Sequence, residues 1–467
     1  MVKRSTLRTL ALTLCTLLAA ALLWALWGFD AYYRPASVNP LVQTSAPENT
    51  SAIEGSASKT SADAQAPSKA QVARGQYLAR VGNCVFCHSA PAGALLAGGR
   101  AIQTPFGTVY TSNLTRDPAH GLGRWTQDDF WQALHLGLGP QGQRLSPAFP
   151  YTSYSRLTRA DADALWAFLQ SVPAVPRPKT EANMVWPFGT QTALGLWRAM
   201  YFRPFQNPHE DAAPAGVDAV AWTRGRYLVE GLGHCQECHS PRDALGGLRD
   251  ATRGSGGVLP GLRWYAPSLR DPAQAGTTDA QALQSFLQTG VGAGRFAAGP
   301  MAEVVLHGTQ YLNDQDAQAM AVYLQSQVPT KAGVAIPHAD SNANTFQIAN
   351  ANQSPAHTQG ADIYKKQCVD CHGDTGQGRA GVYPALAGNR ALLMDKPNNA
   401  VLSVLYGGFA PSTQGHARPF GMPPFMLELS NAQIAQVLSY TRSAWGNQAA
   451  PISELQVQAV REPQQRR

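Results

Sequence analysis

Only seven of the 467 residues are cysteine, and six of them fall in one recurring pattern, so no disulfide framework can be built. The seventh, Cys15, lies in an N-terminal apolar run and reads as an apolar filler. Its flank, Leu12-Thr13-Leu14, lacks the small residues of a lipoprotein cleavage site. The chain has no glycine-rich nucleotide loop, no paired carboxylates in a catalytic setting and no Ser/His/Asp order. Those absences exclude the common nucleotide-dependent and hydrolytic chemistries. Lys and Arg exceed Asp and Glu by 37 to 30, giving a net charge of +7. The basic residues are scattered and partly terminal (Arg461, Arg466, Arg467), without interleaved aromatics, which indicates a solvated surface and no nucleic-acid partner.

What is present is one pentapeptide, three times: Cys84-Val85-Phe86-Cys87-His88, Cys235-Gln236-Glu237-Cys238-His239 and Cys368-Val369-Asp370-Cys371-His372. Each is C-x-x-C-H, the attachment signature of c-type haem. Two thiols one helical turn apart can add to the two vinyl groups of one porphyrin, and the adjacent His then serves as proximal axial ligand. A redox dithiol needs no His, and zinc needs a fourth ligand nearby. Three copies, each opening a segment of similar layout, point to three covalently bound haem c groups, with iron held by His88, His239 and His372. Attachment of this kind implies export from a bacterial cytoplasm.

Along the chain, Lys3, Arg4 and Arg8 precede an uncharged run from Leu10 to Phe29, about 20 residues and long enough for a membrane helix. Without a convincing cleavage site after it, this run is expected to be an uncleaved anchor with the remainder outside. Residues 31–70, rich in Ala, Ser, Thr, Gln and Pro, read as a disordered tether. Repeats then begin at Arg74-Gly75-Gln76-Tyr77-Leu78, Arg224-Gly225-Arg226-Tyr227-Leu228 and, more loosely, Gly360-Ala361-Asp362-Ile363-Tyr364. Each closes with an amphipathic helix carrying the pairs Leu165/Phe168, Met320/Tyr323 and Val437/Tyr440. A glycine on the opening helix would let the aromatic of the closing helix cross closely. Between repeats one and two an apolar segment (Met184, Trp186, Phe188, Trp197, Tyr201) is either a strap packed on both domains or a surface for a partner or membrane. A second linker, about 331–357, is polar, and 448–467 looks like a loose tail.

Six-coordinate electron-transfer haems commonly pair His with Met. Repeat two offers Met301 in Gly299-Pro300-Met301-Ala302-Glu303, and repeat three offers Met422 in Gly421-Met422-Pro423-Pro424-Phe425. Met320 and Met426 compete less well, the first on a core-facing helix and the second beyond the stiff Pro pair. Repeat one reads Pro147-Ala148-Phe149-Pro150-Tyr151, with Phe where the sulfur should stand, and no Met occurs between Cys84 and Met184. His135, on the preceding helix, is a candidate replacement, and His120 a weaker one. An open or water-bound iron, or a distant Met184 or Met200, are the alternatives.

The chain resembles the triheme cytochrome c subunits of bacterial membrane-bound dehydrogenases, over about residues 71–447. The stretches that carry the likeness include Phe106-Gly107-Thr108-Val109-Tyr110-Thr111-Ser112-Asn113-Leu114-Thr115, Gly231-Leu232-Gly233-His234, Pro384-Ala385-Leu386-Ala387-Gly388-Asn389 and Arg442-Ser443-Ala444-Trp445-Gly446-Asn447. The first domain of the alcohol dehydrogenase members usually has P-A-M-P-Y; P-A-F-P-Y here is more similar to cytochromes beside molybdenum hydroxylases. The resemblance implies an all-α fold of three tandem class I cytochrome c domains (71–178, 218–330 and 358–447) after an N-terminal membrane helix (1–30), with 179–217 as the strap. It further implies a location at the bacterial inner membrane, haem domains facing the periplasm. The implied partners are a dehydrogenase catalytic subunit and ubiquinone or a terminal oxidase, and the chain is not catalytic alone. Rival expectations are a stand-alone multihaem carrier, or a haem sensor or enzyme using an open iron in the first domain.

Overall fold

A computed structural model describes Thr13, Thr16, Ala20 and residues 67–205, 212–270, 279–292, 295–328 and 355–462. The first unit runs α1 (Lys69–Val81), α2 (Cys84–Cys87), β1 (Ala101–Thr104), β2 (Gly107–Tyr110), α3 (Gln127–Leu136), α4 (Tyr151–Tyr154) and α5 (Arg159–Ser171). The segment after it contributes β3 (Asn183–Met184) and α6 (Gln191–Tyr201). The second unit holds α7 (Ala219–Arg226), which widens into a π-helical turn at Tyr227–Leu232, then β4 (Gly257–Val258), β5 (Tyr265–Ala266), α8 (Ala280–Thr289), β6 (Val291–Gly292), β7 (Arg295–Phe296), α9 (Pro300–His307) and α10 (Asp314–Ser326). The third comprises α11 (Pro355–Gln367), α12 (Val369–His372), α13 (Arg390–Leu393), α14 (Asn398–Tyr406), β8 (Gly408–Phe409), β9 (Gly421–Met422), α15 (Asn431–Ser443) and α16 (Glu454–Arg461).

In each unit the first helix crosses the closing helix at a glycine. A methyl group added to Gly75 would stand 1.9 Å from the Ala164 carbonyl oxygen and 2.8 Å from Phe168 Cβ. The same geometry recurs at Gly225, 2.0 Å from Ala319 O and 2.7 Å from Tyr323 Cβ, and at Gly360, 2.3 Å from Gln436 O and 2.9 Å from Tyr440 Cβ. No side chain fits at such a crossing, so the backbones touch and the Phe or Tyr ring lies over the glycine. The closing helices start from side-chain caps on the backbone N–H three residues on: Thr158 on Asp161, Asn313 on Asp316 and Ser430 on Gln433.

Units one and two share a single apolar core, in which Leu78, Leu165 and Phe168 join Trp222, Leu228, Met320 and Tyr323. Their two capping-turn aspartates exchange tyrosines across the junction. Tyr77 donates to Asp316 Oδ2 at 2.6 Å, beside a fork from Arg224 at 2.7 and 2.8 Å. Reciprocally, Tyr227 donates to Asp161 Oδ2 at 2.7 Å, beside Arg74 at 3.1 Å. Unit three has Gln433 at the matching position and its own core, around Tyr364, Val401, Leu405, Ile434 and Leu438. It meets unit two through Asn398 and Asn399, which hydrogen-bond the backbone of Arg263 and Tyr265, and through Thr413 Oγ1, which donates to Thr289 O at 3.1 Å.

Two expectations are corrected. The fold is not all-α: the described residues carry one three-stranded and three two-stranded antiparallel sheets. These are short ladders at loop bases, which apolar periodicity does not reveal, and β3 joins β2 from beyond α5 through the Gly107–Met184 and Thr108–Asn183 pairs. Nor is there support for an N-terminal membrane helix or for anchoring at an inner membrane. Among the described residues no helix is long and apolar enough to cross a membrane. The longest α-helices among them run 13 residues, about 20 Å at ~1.5 Å per residue and short of a ~30 Å hydrocarbon core. Of the run from Leu10 to Phe29 only Thr13, Thr16 and Ala20 are described. The tether through residue 66 and most of the 331–357 linker also lie outside the described residues.

The strap packs inward. Arg198 is fully buried with its guanidinium on the Leu136 carbonyl, Phe188 stacks on Phe106 at 4.3 Å, and Tyr201 donates to Asp243 of unit two at 2.9 Å. Trp186 remains 82% exposed. The expected loose tail contains α16, which begins at a Ser453/Gln456 capping box and buries Val457 and Val460 against the third core.

Candidate haem attachment sites

Each C-x-x-C pair sits on a single helical turn directly after an opening helix. In units one and two the turn is entered through a left-handed residue, Asn83 at φ 56° and His234 at φ 39°. In unit three α11 runs straight into the motif, and Cys368 N–H bonds to the Tyr364 carbonyl at 2.9 Å. The six thiols are unbridged and half-buried. Burial, then the neighbouring Cys87, pushes the Cys84 thiol up to about 12; burial and Cys238 push Cys235 to about 12. Burial and then Glu237 raise Cys238 to about 11, and burial with Cys371 raises Cys368 to about 11. A redox-active dithiol requires the opposite, a thiol lowered toward neutrality. No group of three or more His, Cys, Asp or Glu side chains among the described residues could hold a metal ion, which removes the zinc alternative there.

The three histidines share one arrangement. Nδ1 of His88 donates to Ser112 O at 2.7 Å, that of His239 to Pro267 O at 2.7 Å, and that of His372 to Pro384 O at 2.9 Å. Burial lowers the proton affinity of all three rings, and the carbonyl bond only partly opposes it, so the imidazoles are held neutral. A neutral ring donating from Nδ1 presents its Nε2 lone pair, the atom an iron needs. The chain's residues thus fit a covalently attached haem on three criteria: paired unbridged thiols, an oriented neutral His, and a half-buried setting.

The segments in which the sequence suggests a sixth ligand are comparable in all three units. Each follows a helix ended by a left-handed glycine: Gly137 after α3, Gly290 after α8 and Gly407 after α14. Each is pinned at its base by a short antiparallel pairing, Leu138 with Arg144, β6 with β7, and β8 with β9. Met301 is the second residue of α9, not a loop residue, and packs with Phe286, Ala297 and Val305. Met422 lies in β9 opposite Gly408, against the third core. In unit one the same position holds Phe149, packed on Tyr154 at 5.4 Å and Tyr151 at 6.4 Å between ring centroids.

The sequence-based substitutes for that sulfur lie on separate elements. His135 stacks on Trp131 at 4.7 Å and lies beside the Ser155 backbone, its proton affinity lowered by burial. Its Nδ1 is buried without a hydrogen-bond partner among the described residues. Met184 sits on β3 against Gly189, Met200 is 54% exposed on α6, and His120 is exposed. Met320 is buried in the shared core and Met426 is exposed.

Sequence reasoning missed Tyr154. Buried at 6% exposure, it donates to the Gly82 carbonyl, two residues before Cys84, at 3.2 Å. Its ring also meets His234, which precedes Cys235, edge-on at 5.6 Å. Around it Phe86 stacks on His307 at 4.9 Å, while Thr152 donates to Glu237 at 2.9 Å and Ser153 at 3.2 Å. The first two attachment turns therefore lie face to face, each covered by the other unit.

The family model of cytochrome c matches residues 358–445. Over nearly its whole length the chain is similar to the cytochrome c subunit of a quinone alcohol dehydrogenase of Gluconacetobacter polyoxogenes, 36% identical over 428 residues and 88% of each chain. The chain belongs to the cytochrome c subunits of dehydrogenase complexes. The fructose dehydrogenase cytochrome subunit of Gluconobacter japonicus is 34% identical over 453 residues, covering 92% of this chain and 90% of its own. A gluconate 2-dehydrogenase cytochrome c subunit of Pantoea cypripedii is 35% identical over 404 residues, 83% and 88% of the two chains. As a cytochrome c subunit the protein carries covalently bound haem c, and the positions that fit it are those of the three C-x-x-C-H turns.

Proposed function

We propose that this subunit relays single electrons from a dehydrogenase catalytic subunit, through three haem c groups, to ubiquinone or a terminal oxidase. The observation that carries the reading is the threefold recurrence of one His orientation, Nδ1 on the carbonyl of Ser112, Pro267 and Pro384, each directly after a pair of unbridged thiols. Cys84 and Cys87, Cys235 and Cys238, and Cys368 and Cys371 make the thioether links; His88, His239 and His372 are the proximal ligands. Met301 and Met422 supply the sixth ligand in units two and three. The domains follow the three helix crossings, about 71–178, 218–330 and 358–447.

Bound haem supplies the reversible one-electron iron couple. The chain's own task is to hold each ring, fix the axial imidazole and exclude water. The Gly75, Gly225 and Gly360 crossings bring the opening and closing helices together behind each attachment turn. The mutual cover of the first two turns, with Tyr154 against both, supports exchange between neighbouring groups without a mobile domain. Mass spectrometry of the denatured holoprotein tests the cofactor count: three covalent haem additions are expected, and fewer would refute the reading. Purification of the native assembly tests the partner, with a stoichiometric flavin, quinone or molybdenum subunit expected and an isolated cytochrome counting against it.

A further inference from the structure

The first sixth-ligand loop differs from the other two in one chemical respect. Its helix stop at Gly137, its pinned base at Leu138 and Arg144, and its run to α4 parallel the segments that lead to Met301 on α9 and include Met422 in β9. Yet the residue it presents is Phe149, whose hydrocarbon ring has no lone pair to give. The ring is held in place by Tyr151 and Tyr154, and Tyr154 adjoins the first attachment turn through its bond to Gly82. Of the other nearby donors, His135 stacks on Trp131 with its buried Nδ1 unpartnered among the described residues, Met184 is on β3, and Met200 is on the solvent side of α6.

We infer that the first haem site takes an exogenous neutral diatomic ligand of the carbon monoxide class at the position where units two and three present a methionine sulfur. The inference rests on the three-haem reading and deepens it for one site. Its chemistry is ligand addition: a dative bond forms from the diatomic to ferrous iron, displacing at most a water, with no net oxidation or reduction. Phe149, Tyr151 and Phe202 form an aromatic cluster with the buried Arg198 guanidinium over Tyr151 and Phe202, and the Tyr154 hydroxyl is already committed to a backbone carbonyl.

The test is the carbon monoxide difference spectrum of the dithionite-reduced, full-length holoprotein, with haem counted separately by mass spectrometry. About one carbon monoxide per chain is expected, falling to none in Phe149→Met and rising to about two in Met422→Ala. No spectral change in the wild type overturns the inference, as does a change that persists undiminished in Phe149→Met. Binding that emerges only in His135→Ala would assign the sixth ligand to His135 and equally overturn it. A haem count below three instead defeats the parent reading, independently of any gas binding.

Discussion

Replacing Gly360 by Ala isolates the helix crossing on which the third unit depends. On an exposed helix the change stabilises by about 1 kcal/mol, because alanine is the better helix former. At this position the new Cβ would lie 2.3 Å from the Gln436 carbonyl oxygen and 2.9 Å from Tyr440 Cβ. Ordinary contact begins near 3.4 Å, so α11 and α15 must separate by roughly 1 Å, and overpacking of a close interface costs about 1–3 kcal/mol. The oxygen belongs to a helical backbone and cannot rotate away, which places the cost toward the top of that range. The net expectation is destabilisation on the order of 1–2 kcal/mol, or about 5–10 °C in the melting of a unit this size. Thermal unfolding of the oxidised holoprotein, followed by Soret and far-ultraviolet dichroism, reads it. The sign decides the matter: an unchanged or raised transition would show that the helices are not in backbone contact. Gly225→Ala and Gly75→Ala, whose added methyls would stand closer still to a backbone oxygen at 2.0 and 1.9 Å, should cost at least as much.

The tyrosine exchange gives three further expectations. Tyr77→Phe and Tyr227→Phe each remove a hydrogen bond to a carboxylate, worth about 1.5–3 kcal/mol, and protease nicking between units one and two should rise most in the double variant. Burial alone would raise the Asp316 carboxyl, but hydrogen bonds from Arg224 and Tyr77 and the Arg224 charge outweigh it and hold the group below its usual range. A depressed folded value contributes stability above the unfolded value near ~3.9 and loses it as pH falls through the folded one. Acid titration of stability should therefore be flattened below about pH 4 in Asp316→Asn relative to wild type. Tyr77 is shifted upward by burial and then by Asp316, so its contribution is full below about pH 10 and declines above it; Tyr77→Phe should remove that alkaline limb. Loss of the thioether in Met301→Ala should lower the potential of one haem without altering the haem count, as read by spectroelectrochemical titration.

Much of the site was legible because its chemistry is local. C-x-x-C-H needs five consecutive residues, and Gly75, Gly225 and Gly360 announce their crossings through the aromatic that recurs in each closing helix. The carbonyls behind the proximal histidines were half-legible: Ser112 and Pro384 fall inside stretches that the family resemblance marks, yet nothing in Thr-Ser-Asn says that a carbonyl will turn toward a ring. What escaped was long-range. Tyr77 meets Asp316 across 239 positions, and no periodicity encodes such a pairing. Short ladders such as β8–β9 hold two residues per strand, below the length at which alternation becomes a pattern. The membrane expectation rests on an uncharged run behind Lys3, Arg4 and Arg8 with no convincing cleavage site, and the described helices give it no support. The Ser453/Gln456 box that starts α16 is visible as a capping signature, but the polar composition of 448–467 obscures it.

The face-to-face placement of the first two attachment turns also couples the fates of their units. Phe86 against His307, and Thr152 and Ser153 on Glu237, make each of these turns part of the other unit's packing. A disturbance at either cysteine pair is therefore felt on both sides of the junction, whereas the third turn answers to a core of its own.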